Sequence, residues 1–520
     1  MPTRFRHHIV SAHDGGAPAG AGRGGLLRRG LPARGAKLRR WAGVGVLASI
    51  ALTAVTVAAP RASGAAQIGT WTAPFNIGVK GIHSQVLPRS GKVLLFSYPV
   101  GNTGSAAVVL DPSTLAYTNV TIPYQRDAFC GGEDLLDNGQ IFVAGGHQYN
   151  VTNSNSHEDG LGTTNTDFFD PTTQTWTPGP QLTQARWYPT NLEIGNGNVL
   201  VVSGQSAPGT PSSTMEMFDP STGTISTLPS TATKSLPDYP RLLLLPSGKA
   251  FLAGPSKGTQ LFDPTTNKWS WVGNMLFGAR GNGNAVLLPG LNKVLVAGGK
   301  NGTSGTTNTA EVIDLSQAKP KFTYTGSMAY ARAYANAVLL ADGTVLEVGG
   351  GTGGSYTKPV FTSEIYNPTT GTWSTMAAQT APRIYHSTAV LLPSGKVLSA
   401  GMDSGTYQYT AELYSPPYLF KGPRPTITST PSSVGYGQAF NISTPNAASI
   451  TRVALVKPGG ATHTLGQDQR YVDLTISGTS SGTVSVTAPP DGNHAPPGWY
   501  MLFILNSAGV PSWARWVDVG

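Results

Sequence analysis

A turn, a Gly-Lys-Val-like strand and a pair of glycines return seven times along this chain, as GKVLLFS at 91, GQIFVAGG at 139, GNVLVVSG at 197, GKAFLAGP at 248, NKVLVAGG at 292, GTVLEVGG at 343 and GKVLSAGM at 395. A period of about fifty residues constrains the architecture more than any local propensity, because each unit must bury its apolar face against its neighbours. Most copies are followed by a second phrase, seen in FFDPTTQTWTPGP from 168, MFDPSTGTISTLP from 217, LFDPTTNKWSWVG from 261 and IYNPTTGTWSTMA from 365. Each unit therefore holds about four short strands. A content of 65 Gly and 40 Pro with only 12% charged residues agrees, since many short strands need many turns.

Four strands per repeat make one blade of a kelch-type β-propeller, so the chain is predicted to be all-β with a seven-bladed propeller over residues 67–421. The seventh copy stops at AELYSPPYL and lacks the Gly-Thr-Trp strand that should complete it; Gly69-Thr70-Trp71-Thr72 offers that strand from the other end of the array. Pairing the two closes the ring and removes its exposed edges. Beyond Lys421 the repeat ends and Gly422-Pro423-Arg424-Pro425 reads as a linker. The segments TRVALVKP, RYVDLTIS, GTVSVTAPP, WYMLFILN and ARWVDVG then predict a C-terminal immunoglobulin-like β-sandwich over 422–520.

Residues 1–40 hold nine Arg or Lys against one acid, so nearly all of the formal charge of +9 lies in this leader. The folded body is close to neutral, and no nucleic-acid partner is expected. An apolar run from Trp41 to Ala59 follows, then small residues around Ala62 to Ala66. Residues 1–66 thus read as an export signal or, if uncleaved, as a membrane anchor through 41–59; both make the chain secreted or extracytoplasmic. A single cysteine, Cys130, rules out a disulfide framework. A monomer is expected.

The repeat also serves as a ruler, because equivalent positions lie at equal height around the axis. Nine residues before the turn glycine, at the start of the innermost strand, stand Cys130, Tyr188, Tyr239, Tyr334 and His386 in the second, third, fourth, sixth and seventh copies. Tyr385 precedes His386 by one residue, and Asn282 is the approximate counterpart in the fifth copy. A thiol, phenols and an imidazole converge on one mouth of the axial channel, and the sandwich carries one histidine after its Pro458-Gly459-Gly460 turn, His463. Two imidazoles and two phenolates suit Cu(II), which prefers tetragonal N,O ligation. Zinc more commonly takes thiolate, imidazole and carboxylate, and calcium takes several carboxylates. A propeller that only binds a glycan or protein at the cell surface stays open as the alternative, because the fold hosts many functions.

The segments AFCGGEDLLDNGQIFVAGG, ARWYPTNLEIGNGNVLVVSG, PRIYHSTAVLLPSGKVLSAG and ATHTLGQDQR, with the closing PPGWYMLFILNSAGVPSWARW, resemble the galactose oxidase and glyoxal oxidase family of copper-radical oxidases from about residue 70 to the C-terminus. The resemblance implies oxidation of a primary alcohol or aldehyde by O₂ to the aldehyde or acid, with release of H₂O₂. It implies one copper ion bound by Tyr188, Tyr385, His386 and His463, and a thioether between Cys130 and Tyr188 that makes Tyr188 the radical site, with Tyr385 as the base. Departures from galactose oxidase concern the substrate: Ser206 falls near the expected stacking tryptophan and Gly351 replaces an expected glutamine. The Arg-Trp-Tyr phrase at 186–188 looks more like the glyoxal oxidase branch, with Trp187 as another cover for the radical site. Trp187, Tyr239, Tyr334, Arg332 and His147 are candidate substrate contacts, although Arg186 and Arg332 share a repeat position, a pattern that favours a contact between blades. Small aldehydes, glycolaldehyde-like compounds and chain-end sugars of a surface polymer all match this reading.

Overall fold

In the computed structural model the described residues are 64–520, apart from 100–102, 151–156, 303–304, 353–356 and 404–407. The apolar run at 41–59 lies outside them, and among the described residues no helix is long and apolar enough to cross a membrane. Seven antiparallel sheets follow the repeats, each containing four strands laid side by side in order. In the second, Gly132–Leu135, Ile141–Ala144, Thr166–Asp170 and Thr175–Pro178 run from the hub outward. Burial follows the same order: Ser387–Leu391 of the last sheet is buried along its whole length, whereas the outermost strand of the sixth, Thr372–Ala378, is largely exposed. Strands covered on both faces tolerate continuous apolar runs, which explains why the inner phrases of the repeat lack polar alternation.

The expected closure of the ring is present. Thr70–Trp71 pairs with Thr410–Ser415 in the register Thr70↔Ser415 and Trp71↔Tyr414, and Phe75–Asn76 pairs further along the same strand. Trp71 packs on the Tyr414 ring at 4.9 Å and donates its indole N–H to Ala377 O at 2.9 Å. The last sheet is thereby built from both ends of the array.

C-terminal to the array, Ile450–Lys457 lies between Gly498–Asn506 and Arg470–Leu474, and a smaller sheet is built from Ala439–Ser443, Thr483–Thr487 and Ile476–Ser480. Its core is continuous with that of the propeller: Val453, Leu455 and Ile504 share one apolar cluster with Leu287, Val294 and Val296. Arg424, in the predicted linker, donates to Ser394 O, Pro511 O and Ser512 O, so this segment is a fixed strut. A hairpin of Gly460–Thr462 and Leu465–Gln467 leaves the C-terminal region and pairs with His83–Val86, the innermost strand of the first sheet. It also touches the inner strands of the second, fifth, sixth and seventh sheets and so fills the hub.

Four sheets carry the same buried ion pair. Arg186 meets Glu216, Arg280 meets Glu311 and Arg332 meets Glu364, each at 2.7 Å, and Arg383 meets Glu412 at 3.4 Å. Each arginine also donates to a backbone carbonyl, and each glutamate accepts from one or two backbone N–H groups of the loop entering its sheet, as Glu364 does from Ala329 and Tyr330. This corrects the expectation for Arg332: it is fully buried, with its guanidinium engaged by Gly349 O, Thr362 O and Glu364, and cannot meet a substrate. Removing one member of such a pair leaves an uncompensated buried charge. Arg332→Met is therefore expected to cost about 3–5 kcal/mol in urea unfolding, and the double variant Arg332→Met/Glu364→Leu to recover most of it. A single variant as stable as the parent would contradict the strut.

Candidate metal centre

At the hub the backbone is held in an uncommon conformation, in register. Cys130, Tyr188, Tyr239, Asn282, Tyr334 and His386 have φ of 62°, 65°, 45°, 52°, 63° and 63°, in the left-handed region that non-glycine residues rarely enter. These are the positions picked out by the repeat, and Asn282 shares the conformation despite its blurred register. Backbone hydrogen bonds link neighbours: Tyr188 N to Cys130 O at 3.0 Å, Tyr239 N to Tyr188 O at 2.9 Å and Tyr334 N to Asn282 O at 2.9 Å. Left-handed backbone at an L-residue costs roughly 1–2 kcal/mol, so the bonds between sheets oppose a standing strain.

His463 reaches the same place from the hairpin tip. With φ of 50° at His463 and 67° at Thr464, the tip has the left-handed conformation at both central positions that a type I′ turn requires, where Asn-Gly is the usual choice. Arg241 holds it: its guanidinium donates to Thr464 Oγ1 at 2.7 Å, to Tyr239 O at 2.7 Å and to Gly283 O at 3.2 Å. Burial pushes this arginine down to about 10, still well above neutral pH, so the staple stays charged.

Four separated stretches of chain meet here. Cys130 Sγ lies 3.3 Å from His463 Nε2, and one ligand atom from each of Cys130, His386 and His463 falls within 4.8 Å of the others. The hydroxyls of Tyr188 and Tyr385 are hydrogen-bonded to each other. The ring of His463 stands 4.3 Å from His386, 4.9 Å from Tyr188 and 5.4 Å from Tyr385, nearly perpendicular to each, and Tyr385 stacks on His386 at 3.7 Å. Two imidazoles, two phenols and a thiol therefore share one site.

The electrostatics suit a cation. Burial first, then the neighbouring His386, holds His463 well below the ordinary histidine range, so its imidazole is neutral with a lone pair to offer. Burial first, then Cys130 and Tyr385, raises the Tyr188 phenol well above its usual value. A metal ion would reverse that preference by stabilising the phenolate. The plainest mark is His386: Nδ1 is bound to Asp403, while Nε2 is buried and has no hydrogen-bond partner. A buried imidazole nitrogen left unpaired in this way fits a missing metal bond.

Around these groups, Trp187 stacks on Tyr188 at 4.3 Å and 23°, and His147 lies 5.4 Å from Trp187 and stacks on Phe129 at 5.0 Å. Tyr239 sits 4.8 Å from Tyr188 and donates its hydroxyl to Gly131 O. Tyr334 stands edge-on to Tyr385 at 5.4 Å and accepts a hydrogen bond from Lys300 Nζ at 3.2 Å. Of the five predicted contacts, all but Arg332 thus surround the site. Sequence reasoning missed Asp403, Phe129 and Lys300. A signal for two of them existed, because His147, Lys300 and Asp403 occupy the same place in their repeats, two residues past the first of the paired glycines or its equivalent.

Residues 102–418 match the glyoxal oxidase N-terminus and residues 424–519 match a galactose oxidase-like early set domain. A galactose oxidase of Gibberella zeae is 30% identical over 499 residues, spanning 87% of this chain and 71% of that protein. An aldehyde oxidase of Vitis pseudoreticulata is 32% identical over 389 residues, spanning 65% of this chain and 73% of its own length. Among solved structures, a fungal alcohol oxidase in complex with copper superposes with a TM-score of 0.76 at 25% identity, covering 87% of this chain and 99% of that one. With the family matched across both the propeller and the C-terminal region, and the copper-suited donor set at the hub, the chain belongs to the galactose oxidase and glyoxal oxidase family of copper-radical oxidases, which act on alcohols or aldehydes.

Proposed function

We propose that this oxidase works at the hub, with Tyr188, Tyr385, His386 and His463 holding one copper ion and Cys130 joined to the Tyr188 ring as a thioether. The observation that carries the assignment is the partnerless, buried Nε2 of His386 facing the neutral imidazole of His463 and the paired phenols. When bound, copper supplies a Lewis acid for the substrate oxygen and an acceptor for one of the two electrons. The balanced reaction is R–CH₂–OH + O₂ → R–CHO + H₂O₂.

Tyr385 is the group suited to take the hydroxyl proton, since its oxygen adjoins that of Tyr188. Tyr188, in its oxidised form, takes the hydrogen atom from the neighbouring carbon, and that atom carries the second electron. Cys130 and Tyr188 are backbone-bonded neighbours on adjacent sheets, which supports the cross-link. A sulfur substituent makes the phenol easier to oxidise, and the stacked Trp187 shields the ring from water. Trp187, His147, Tyr239 and Tyr334 form the wall that a small aldehyde, a glycolaldehyde-like compound or a chain-end sugar would meet. The basic leader and the apolar run at 41–59 support secretion or surface anchoring, and we read the exported chain as a monomer with its propeller over 67–421 and its sandwich over 422–520.

Two measurements bear on this. The copper-matured protein is expected to weigh about 2 Da less than its sequence, a deficit absent from Cys130→Ser, which should keep the fold yet lose most peroxide release; parental turnover in that variant would contradict the cross-link. Because Tyr188 holds its proton in the metal-free protein, copper must displace it, so affinity is expected to rise with pH by roughly tenfold per unit for each proton released. A pH-independent copper affinity would contradict phenolate ligation.

A further inference from the structure

The two imidazoles are held in different ways. Nδ1 of His463 shares a hydrogen bond with the hydroxyl of Thr462 at 2.6 Å, whereas Nδ1 of His386 is bonded to a carboxylate, Asp403 Oδ1. That pair is shielded from water, with side-chain exposures of 8% for His386 and 12% for Asp403. With Nδ1 of His386 donating its hydrogen to Asp403 Oδ1, the lone pair is left on Nε2, the atom without a partner. The remaining freedom of the ring is small, because Tyr385 stacks on one face at 3.7 Å and Phe129 meets it edge-on at 5.2 Å.

We propose that Asp403 is the positioning residue for His386: it fixes the tautomer and the ring rotation that present Nε2 to copper. This rests on the reading of His386 as a copper ligand. The placement of Asp403 sets it apart from the scaffold. The Arg–Glu struts recur from sheet to sheet, whereas the equivalent places in the other copies hold Pro99, His147, Gln205, Ser256, Lys300 and Gly351. An acid stands only in the copy that bears His386.

Ring closure supplies the counter-charge. Lys80, just beyond the N-terminal closing strands, interacts electrostatically with Asp403 and covers the Tyr98 ring at 3.9 Å. The chain at Lys80 runs hard against Gly401, where a Cβ would come within 2.1 Å of Lys80 O, and only glycine permits this approach two residues before Asp403. A carboxylate beside a ligating imidazole adds negative charge to a shielded site, and the ammonium offsets it. Ligating histidines commonly donate their second N–H to such a carboxylate, and its loss weakens metal binding roughly 10- to 100-fold.

The test measures Cu(II) affinity by competition with a chelator, together with the EPR spectrum of the loaded protein, in the full chain and in Asp403→Ala, Asp403→Asn and His386→Ala. Asp403→Ala is expected to weaken binding by roughly 10- to 100-fold and to alter the nitrogen hyperfine pattern. Asp403→Asn, whose amide oxygen still accepts from Nδ1–H, should restore the parental pattern and most of the affinity. Parental affinity and spectrum in Asp403→Ala would overturn the inference, as would a lower melting temperature with copper binding untouched. If His386→Ala also binds copper as the parent does, the ligand assignment itself fails and takes this inference with it; if only His386→Ala loses copper, the role of Asp403 alone fails.

Discussion

The inner edges of the propeller sheets face one another across the hub, and their backbone groups there have no further strand to pair with. The hairpin of Gly460–Thr462 and Leu465–Gln467 meets this need. It adds strands to the first sheet by pairing with His83–Val86, and side chains at its end and in the two residues that follow serve the others. Gln469 accepts from Leu339 N and donates to Ala337 O, Gln467 accepts from Glu133 N and Asp468 accepts from Leu135 N. A buried backbone group without a partner is costly, so these amide and carboxylate contacts seat the hairpin at one depth. That depth decides where His463 stands.

Two kinds of stored cost surround the site. The left-handed residues of the hub give up backbone free energy that the bonds between sheets must restore, and the Arg–Glu struts bring charges into the interior that only mutual pairing makes tolerable. The left-handed residues and the strut arginines stand at or just before the starts of the inner strands, and the strut glutamates stand on the third strand of each sheet. The result is a rigid ring of side-chain origins, onto which the hairpin delivers a final imidazole. Preorganisation of this sort lets a metal-centred site be assembled from residues far apart in sequence without relying on mobile loops.

Much of this was legible in the chain because the repeat keeps a constant distance between the hub and the turn glycine. That interval picks out Cys130, Tyr188, Tyr239, Tyr334 and His386 together, and Asn282, only an approximate counterpart by position, matches them in backbone conformation. The closing strand was legible from a missing Gly-Thr-Trp phrase. For Arg332 the shared repeat position already favoured a structural contact, and the structure gives that contact to Glu364 of the same sheet and not to a neighbouring blade. Asp403 escaped because its segment departs from the Gly-Gly form, and its meaning depends on a side-chain bond to His386, beside it in the same sheet. The pairing of residues near 83 with residues near 462 has no local signature at all; it joins the start of the array to the C-terminal region through tertiary structure alone.

Anomalous diffraction from crystals of the copper-loaded protein, recorded at the copper absorption edge, addresses the central claim most directly. The account predicts one peak at the hub, within bonding distance of His386 Nε2, a ring nitrogen of His463 and the hydroxyl oxygens of Tyr188 and Tyr385. A peak bound elsewhere, or one at the hub with His463 turned away from it, would contradict the account.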